Sequence, residues 1–98
     1  MIEVQVAYSF KNNEDRDAYY RTISELHIPE KTRRENGNYK YDYYIPLDRD
    51  NTIFLLEQWE NTASIDAHCT QPHYLQMGEI KKKFVTATEI IRYRVEKA

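Results

Sequence analysis

Hydrophobic residues recur with two different periods along the chain, and the change of period predicts where strands and helices lie. At the start, Ile2, Val4, Val6 and Tyr8 alternate with more polar neighbours, which is the two-residue period of a strand with one buried face. Apolar residues then recur at helical spacing from near residue 13. The predicted helix is kinked or interrupted by Pro29 and ends by residue 36.

The rest of the chain continues in the same manner. Strands are predicted at residues 39–45 and 52–60, with a turn at 46–51 between them, and the rings of Tyr39, Tyr41 and Tyr43 on one face of the first. A helical segment in two pieces around Pro72 follows, and residues 88–95 form a last strand.

The order strand, helix, strand, strand, helix, strand indicates the α+β class. We expect a single domain over residues 1–98 with a ferredoxin-like βαββαβ antiparallel sheet and helices on one face.

The third strand is apolar on both faces. Ile53, Leu55 and Trp59 alternate with Phe54 and Leu56, so the helices on one side of the sheet cannot cover both sets. At about 25 cal/mol per Å² of apolar area, leaving large side chains wet would forgo several kcal/mol. We therefore expect a second copy of the chain to cover the other face in a two-fold homodimer packed sheet to sheet.

Composition excludes several function classes. Two glycines among 98 residues cannot supply the glycine-rich loops that bind nucleotides. A single cysteine excludes an internal disulfide, a redox pair and a thiolate-rich zinc site. A net charge of −2 argues against a nucleic-acid partner, and no apolar run is long enough to span a membrane. We expect a soluble, cytoplasmic protein.

Glu57 and Trp59 are candidate functional residues on the third strand. A carboxyl group among apolar neighbours must be paired or protonated, and the chain offers Arg92 and Arg94 on the last strand as partners. Trp59 is either a core residue or the wall of a pocket.

Two histidines flank the break at Pro72. His68 lies at the end of one helical piece and His73 at the start of the next, and a histidine is the usual proton donor or acceptor near neutral pH. A metal would have to recruit these two with Cys69 and His27, whose spacing matches no zinc pattern, so we expect no metal.

Three segments together resemble the antibiotic biosynthesis monooxygenase family of dimeric α/β barrels. They are Asn-Gly-Asn-Tyr-Lys-Tyr at 36–41, Leu-Glu-Gln-Trp-Glu at 56–60 and Ala-His-Cys-Thr-Gln-Pro-His-Tyr at 67–74, in a likeness that covers residues 2–95. The resemblance implies a small cytoplasmic homodimer that oxidises a quinol or phenolic compound with molecular oxygen and no cofactor. Some relatives instead isomerise a phosphorylated sugar-like signal, and others degrade haem.

The haem-degrading branch does not fit these residues. Its members are similar in layout but carry an Asn on the first strand, a Trp at the position of His68 and an axial His near Gly78, none of which this chain has.

A flavin-free oxidation needs a base, an anion stabiliser and an apolar cavity. The roles that follow are His68 as base, His73 or a tyrosine hydroxyl as hydrogen donor, Glu57 orienting an imidazole, and Trp59, Tyr41 and Tyr74 stacking on the substrate ring. The same groups would serve an isomerase, and a non-catalytic ligand-binding or stress protein is also consistent with the sequence.

Overall fold

The computed structural model describes residues 1–98 and contains one four-stranded antiparallel sheet with four helices. The elements are β1 (Ile2–Phe10), α1 (Asn13–Glu25), α2 (Ile28–Arg33), β2 (Asn38–Tyr44), β3 (Thr52–Trp59), α3 (Thr62–His68), α4 (Pro72–Phe84) and β4 (Val85–Arg94). The strand order across the sheet is β2-β3-β1-β4. The ferredoxin-like α+β fold predicted from the sequence is confirmed, with the helices packed on one face.

The helical segment after β1 is interrupted rather than kinked, and the break lies at residues 26–27, before Pro29. α1 ends at Glu25, and His27 adopts a left-handed conformation with φ 57° before α2 begins. Pro29 lies in the first turn of α2, where its missing N–H has no partner to lose and its fixed φ suits the helix. Proline therefore starts the second helix instead of bending the first.

The register places the strand residues that face the helices. In the middle of the sheet Val4 of β1 lies between Glu57 of β3 and Arg92 of β4, and Glu57 also pairs with Tyr41 of β2. This row crosses the whole sheet beneath the helices. The helices leave β4 uncovered on this face, since Ile90 is 60% exposed.

The opposite face of the sheet carries an apolar patch that no helix covers. Phe54 and Leu56 of β3 are half-buried there, and Ile91 and Tyr93 of β4 are exposed. We call these four residues the open-face patch. Its position matches the second apolar set that the sequence places on the third strand.

One tyrosine of β2 departs from the predicted pattern. Tyr41 and Tyr43 turn their rings toward the helices, but Tyr39 is 60% exposed. The register shifts between Asn38 and Lys40, and such an irregularity changes the face on which the preceding residue lies. The three tyrosines therefore do not share one face.

No helix of this chain has the length and apolar composition that crossing a membrane would require.

Candidate functional site

Glu35 joins the two histidines into a single hydrogen-bonded cluster. Its Oε2 lies 2.7 Å from Nδ1 of His68 and 2.8 Å from Nε2 of His73. All three side chains are largely buried, with 11%, 5% and 10% of their surfaces exposed in that order. We call these three residues the His–Glu–His cluster.

The local fold brings the two histidines to the same point. α3 is capped at its start by Asn61, whose Oδ1 accepts a hydrogen bond from the Ser64 N–H, and it ends at His68. Pro72 then opens α4, so that His73 lies in its first turn. The short turn at residues 69–71 therefore turns both rings toward Glu35.

Glu35 is positioned by the connection between α2 and β2. Its N–H donates to the Thr32 carbonyl, and the chain then turns at Gly37, which has φ 86°. A Cβ at Gly37 would overlap the Ser64 hydroxyl, so only glycine permits this turn to pass so close to α3. The glycine thus brings the carboxylate within reach of His68.

Hydrogen bonding fixes the tautomers of the two rings. A carboxylate only accepts hydrogen bonds, so Nδ1 of His68 and Nε2 of His73 both donate to Glu35. Nε2 of His68 makes no hydrogen bond within the chain. It is not sealed in the core either, because Tyr19 Oη is the only fully buried side-chain polar atom without a partner.

Aromatic rings surround His68. Its ring centroid lies 4.8 Å from that of Trp59, 4.9 Å from that of Tyr74 and 6.1 Å from that of Tyr41. Burial lowers the pKa of His68, against the opposing effect of the Glu35 carboxylate. The neutral ring is therefore the favoured form, with Nε2 able to accept a proton.

His68 lines a small cavity of about 80 Å³ between the helices and the sheet, which we call the His68 cavity. Its floor is the helix-facing side of β1 and β4, including Arg92, and its walls include Tyr74, Lys81 and Glu57. His73 does not line it. The structure therefore distinguishes the two histidines, since only His68 faces this space.

Glu57 does not orient an imidazole, contrary to the role that the sequence suggested. Its Oε1 accepts a hydrogen bond of 3.0 Å from the Trp59 indole N–H, and it forms no ion pair with Arg92 or Arg94. Burial raises the pKa of Glu57. The residue that orients both imidazoles is Glu35.

The remaining predicted residues have different surroundings. Tyr74 lines the cavity, whereas Trp59 is fully buried behind His68. The Tyr41 ring also lines the cavity, but its hydroxyl is used inside the protein, 3.1 Å from the Tyr43 hydroxyl and 3.7 Å from Met77 Sδ. The structure thus leaves Tyr74 as the ring most open to a ligand.

Sequence reasoning missed Glu35 and Lys81. Glu35 stands directly before the Asn36-Gly37-Asn38 turn, so the glycine turn was the signal that pointed to it. Lys81 follows Tyr74 by seven residues and Met77 by four, which places it on the same face of α4.

The His–Glu–His cluster is also the set of donors that could hold a metal ion, since its ligand atoms lie within 4.8 Å of one another. Cys69 and His27, the other ligands considered from the sequence, do not belong to it. The present N–O separations of 2.7 and 2.8 Å are hydrogen-bond lengths between the Glu35 carboxylate and the two rings. The cluster as placed is arranged for proton sharing.

A larger cavity of about 300 Å³ lies elsewhere, between α1 and the end of β2. Tyr20, Tyr44 and Ile45 line it with Arg16 and Asp17, and the last two form an ion pair with each other. No histidine lines this space, whereas His68 lines the smaller cavity.

Comparison with known proteins gives a family model that matches most of the chain and a curated relative. The model of the family described as "Antibiotic biosynthesis monooxygenase" matches residues 1–79. A curated relative, "Putative monooxygenase YcnE" of Bacillus subtilis, is 30% identical over 47 residues. That match spans 48% of this chain and only half of the relative's length.

Solved structures share the fold over nearly the whole chain. A protein of Deinococcus radiodurans described as a putative antibiotic biosynthesis monooxygenase has a TM-score of 0.84 at 24% identity, covering 100% of this chain and 95% of its own. A similarly described protein of Nitrosomonas europaea has a TM-score of 0.84 at 21% identity, covering 97% and 98%. A conserved protein of Methanosarcina mazei has a TM-score of 0.85 at 24% identity, covering 97% and 92%.

Proposed function

Because the chain belongs to the antibiotic biosynthesis monooxygenase family, we propose that it is a cofactor-independent monooxygenase that oxidises a small quinol or phenolic compound with molecular oxygen. The single observation that carries this proposal is the position of His68, with Glu35 on one nitrogen and a cavity beside the ring. The proposed catalytic base is Nε2 of His68.

The Glu35 carboxylate supports this role in two ways. It holds His68 in the tautomer whose Nε2 carries a lone pair, and it stabilises the imidazolium that forms when that nitrogen takes a proton. His73 donates to the same oxygen and so helps to fix the carboxylate. His73 is therefore a positioning residue, and His68 is the residue that contacts the substrate.

The reaction balances without an outside reductant. His68 removes the hydroxyl proton of a hydroquinone, and the resulting anion transfers electrons to oxygen more readily than the neutral compound. One oxygen atom then enters a ring carbon in place of hydrogen and the other leaves as water, so that hydroquinone and O₂ give hydroxyquinone and H₂O. The oxygen atom that becomes water is reduced by two electrons and two hydrogens, and all of these come from the substrate as its quinol is oxidised to the quinone.

Proton removal is the demanding step for this site. An ordinary phenol near pKa 10 and a histidine near 6.5 differ by about 3.5 pKa units, or roughly 5 kcal/mol. Burial lowers the pKa of His68 and widens this difference. The site must therefore stabilise the substrate anion as well as accept its proton.

The size of the cavity limits the substrate. A volume of about 80 Å³ is smaller than the pockets of roughly 300–1,000 Å³ that enclose drug-sized ligands. A compound of one or two rings would place its hydroxyl in the hollow and rest its ring on Tyr74 and on the exposed side of β4 near Ile90. The proposal therefore favours a small substrate.

The proposed active form is a homodimer packed through the open-face patch. The patch lies on the side of the sheet opposite the His68 cavity, so sheet-to-sheet packing would cover Phe54 and Leu56 and leave the cavity mouth free. The resemblance to a family of dimeric barrels supports the same arrangement.

Oxygen uptake tests the proposal. The protein is mixed with reduced naphthoquinones and simple hydroquinones in an oxygen-electrode cell, and product is followed in parallel under anaerobic conditions. We expect oxygen uptake above the rate measured without protein and no product in the absence of oxygen. When ¹⁸O₂ is supplied, each product molecule should contain one atom of ¹⁸O. Turnover that continues without oxygen would indicate proton-transfer isomerisation instead and overturn the proposal.

A matched pair of histidine variants separates the site from general effects. His68→Asn is expected to lower turnover by about 10²-fold or more, as for loss of a general base. His27→Asn is the control, because the His27 side chain is 75% exposed and asparagine tolerates its left-handed backbone. Equal activity of the two variants would contradict the role of His68.

A further inference from the structure

Lys81 brings a positive charge to the wall of the His68 cavity without a close ion-pair partner. No carboxylate oxygen lies within 4.0 Å of its Nζ, and the side chain makes no hydrogen bond within the chain. Nζ instead lies 4.9 Å from the ring centroid of Tyr8 and 5.9 Å from that of Tyr74. The ammonium group is therefore held by aromatic faces on the wall of the cavity.

The other two lysines at the end of α4 show that this placement is particular. Lys82 is exposed and donates to Glu79 over 3.0 Å, and Lys83 is exposed to solvent. Both are ordinary surface cations at the helix C-terminus, where positive charge is favoured. Lys81 lies in the same last turn of α4, but its side chain lies over the sheet rather than in solvent.

A desolvated cation without a partner is costly, and it is a ready site for an anion. Burial lowers the pKa of Lys81, and the Glu57 carboxyl group in the same lining acts in the opposite sense. An anionic ligand that enters the cavity would supply the close partner that Glu57 does not.

The charges that line the cavity favour an anion overall. Arg92 adds a second cation from the floor strand, and Glu57 is the only carboxyl group in the lining. Burial raises the pKa of Glu57, and its Oε1 already accepts from the Trp59 indole. His68 is the remaining nitrogen base beside this space.

We propose that Lys81 is the oxyanion-binding residue of the His68 cavity, and that the cavity binds hydroxyaromatic compounds as their phenolate anions. This inference rests on the proposed function and deepens it. His68 accepts the phenolic proton, and the charge left on the oxygen is stabilised by the Lys81 ammonium, with Arg92 contributing at longer range. A phenolate suits the site better than a carboxylate because its single charged oxygen, joined directly to the ring, needs less of the cavity of about 80 Å³ than a carboxylate group does.

The binding test uses 4-nitrophenol, whose phenol and phenolate forms differ in colour, in air-free buffer without turnover. Its absorbance is titrated with pH in the presence and absence of the protein. We expect the wild-type protein to bind the phenolate at least about tenfold more tightly than the phenol, because a cation within about 4–6 Å lowers an acid's pKa by one unit or more. Equal affinity for the two forms would overturn the inference.

Three variants assign the effect to a residue. Lys81→Met keeps the length of the side chain and should abolish the preference for phenolate, and Arg92→Met should reduce it two- to fivefold. Lys83→Met should leave it unchanged. Loss of the preference in Lys83→Met, or its retention in Lys81→Met with unchanged circular dichroism, would contradict the assignment.

A carboxylate probe shows whether the site prefers a phenolate oxygen or a carboxylate group. We expect 4-nitrobenzoate, which has the same ring, to bind at least tenfold more weakly than 4-nitrophenolate. Equal or tighter binding would make this a carboxylate site and overturn the phenolate assignment. If oxygen uptake is absent but the protein prefers the phenolate, the monooxygenase proposal fails and the phenolate site stands. If oxygen is taken up but the protein shows no preference for the phenolate, the phenolate site fails and the monooxygenase proposal stands.

Discussion

Glu35 shows how a single buried carboxylate determines the chemistry of the residues around it. It accepts hydrogen bonds from two imidazoles through one oxygen, so the protonated nitrogens of both rings point at it. The free nitrogen of His68 is then left for a substrate. The chemistry of this site is thus set by a residue that does not line the cavity.

Replacing Glu35 by glutamine tests whether the charge of the carboxylate is needed, because the substitution keeps the shape of the side chain. The glutamine carbonyl can accept the same two hydrogen bonds, but the amide carries no charge to stabilise the imidazolium, so we expect kcat/KM to fall by about 10²-fold and the pH dependence of the rate to change. Steady-state kinetics across pH 5–9 provides the measurement.

The control for that substitution is Glu25→Gln, at the exposed end of α1. It should leave both the rate and its pH profile unchanged. A Glu35→Gln protein with a normal profile and a merely lower melting temperature would show that the carboxylate is only structural.

His68 should also make stability depend on pH. Its pKa is lowered in the folded chain, so the unfolded chain binds more protons as pH falls through about 6.5. Its contribution to stability is therefore complete above that pH and lost below it. Urea unfolding at pH 5–8 should show a smaller decline for His68→Asn than for the wild type, and identical declines would contradict the lowered pKa.

Residue types and spacing were enough to find part of the site. His68 and His73 stood out because a proline break separates them, and Glu57 because it lies in an apolar strand. Glu35 lies in a turn 33 residues before His68, and no period relates the two. The partner of a histidine across the fold depends on tertiary packing, which a local pattern does not record.

At the scale of elements, the hydrophobic periods predicted the strands and helices because each element has one face on a common core. They did not predict the break at residues 26–27. Leu26 and His27 carry no strong stop signal. His27 adopts the left-handed backbone that glycine or asparagine usually adopts at the end of a helix, so its residue type did not indicate the break.

The two glycines behave oppositely, which gives a stability test. Gly78 lies inside α4, and a Cβ there would meet nothing within 4 Å, so Gly78→Ala should stabilise the protein by about 0.5–1 kcal/mol. Gly37→Ala should destabilise it by at least about 1 kcal/mol, since a side chain is strained at φ 86° and overlaps the Ser64 hydroxyl. Denaturant unfolding measures both, and a destabilised Gly78→Ala would contradict this description of α4.

For the whole molecule, the sequence predicted the fold because strand order and antiparallel pairing follow from a few connections. It also predicted an apolar set on the far face of the third strand, which the open-face patch contains. The size of the cavity was not predictable, because it depends on how far α4 lies from the sheet and on the uncovered side of β4.

The oligomeric state is tested at the open-face patch. Ile91 is 51% exposed in the single chain, so Ile91→Glu should leave the fold intact while placing a charge in the dimer interface. Analytical ultracentrifugation should give twice 11.8 kDa for the wild type and the mass of one chain for this variant. Leu47→Glu, in a fully exposed turn, is the control and should remain dimeric. A monomeric wild type would contradict the sheet-to-sheet dimer.

The most direct test of the central claim is ¹⁵N NMR of the His68 ring. As the proposed base, His68 should have a neutral ring at pH 7 with hydrogen on Nδ1, no hydrogen on Nε2, and an apparent pKa below the ordinary value near 6.5. Glu35→Gln should lower the apparent pKa of His68 further, because the neutral amide does not stabilise the imidazolium, and should leave the signals of His27 unaltered. A His68 ring that carries its proton on Nε2, or that titrates as a solvent-exposed histidine does, would contradict the account.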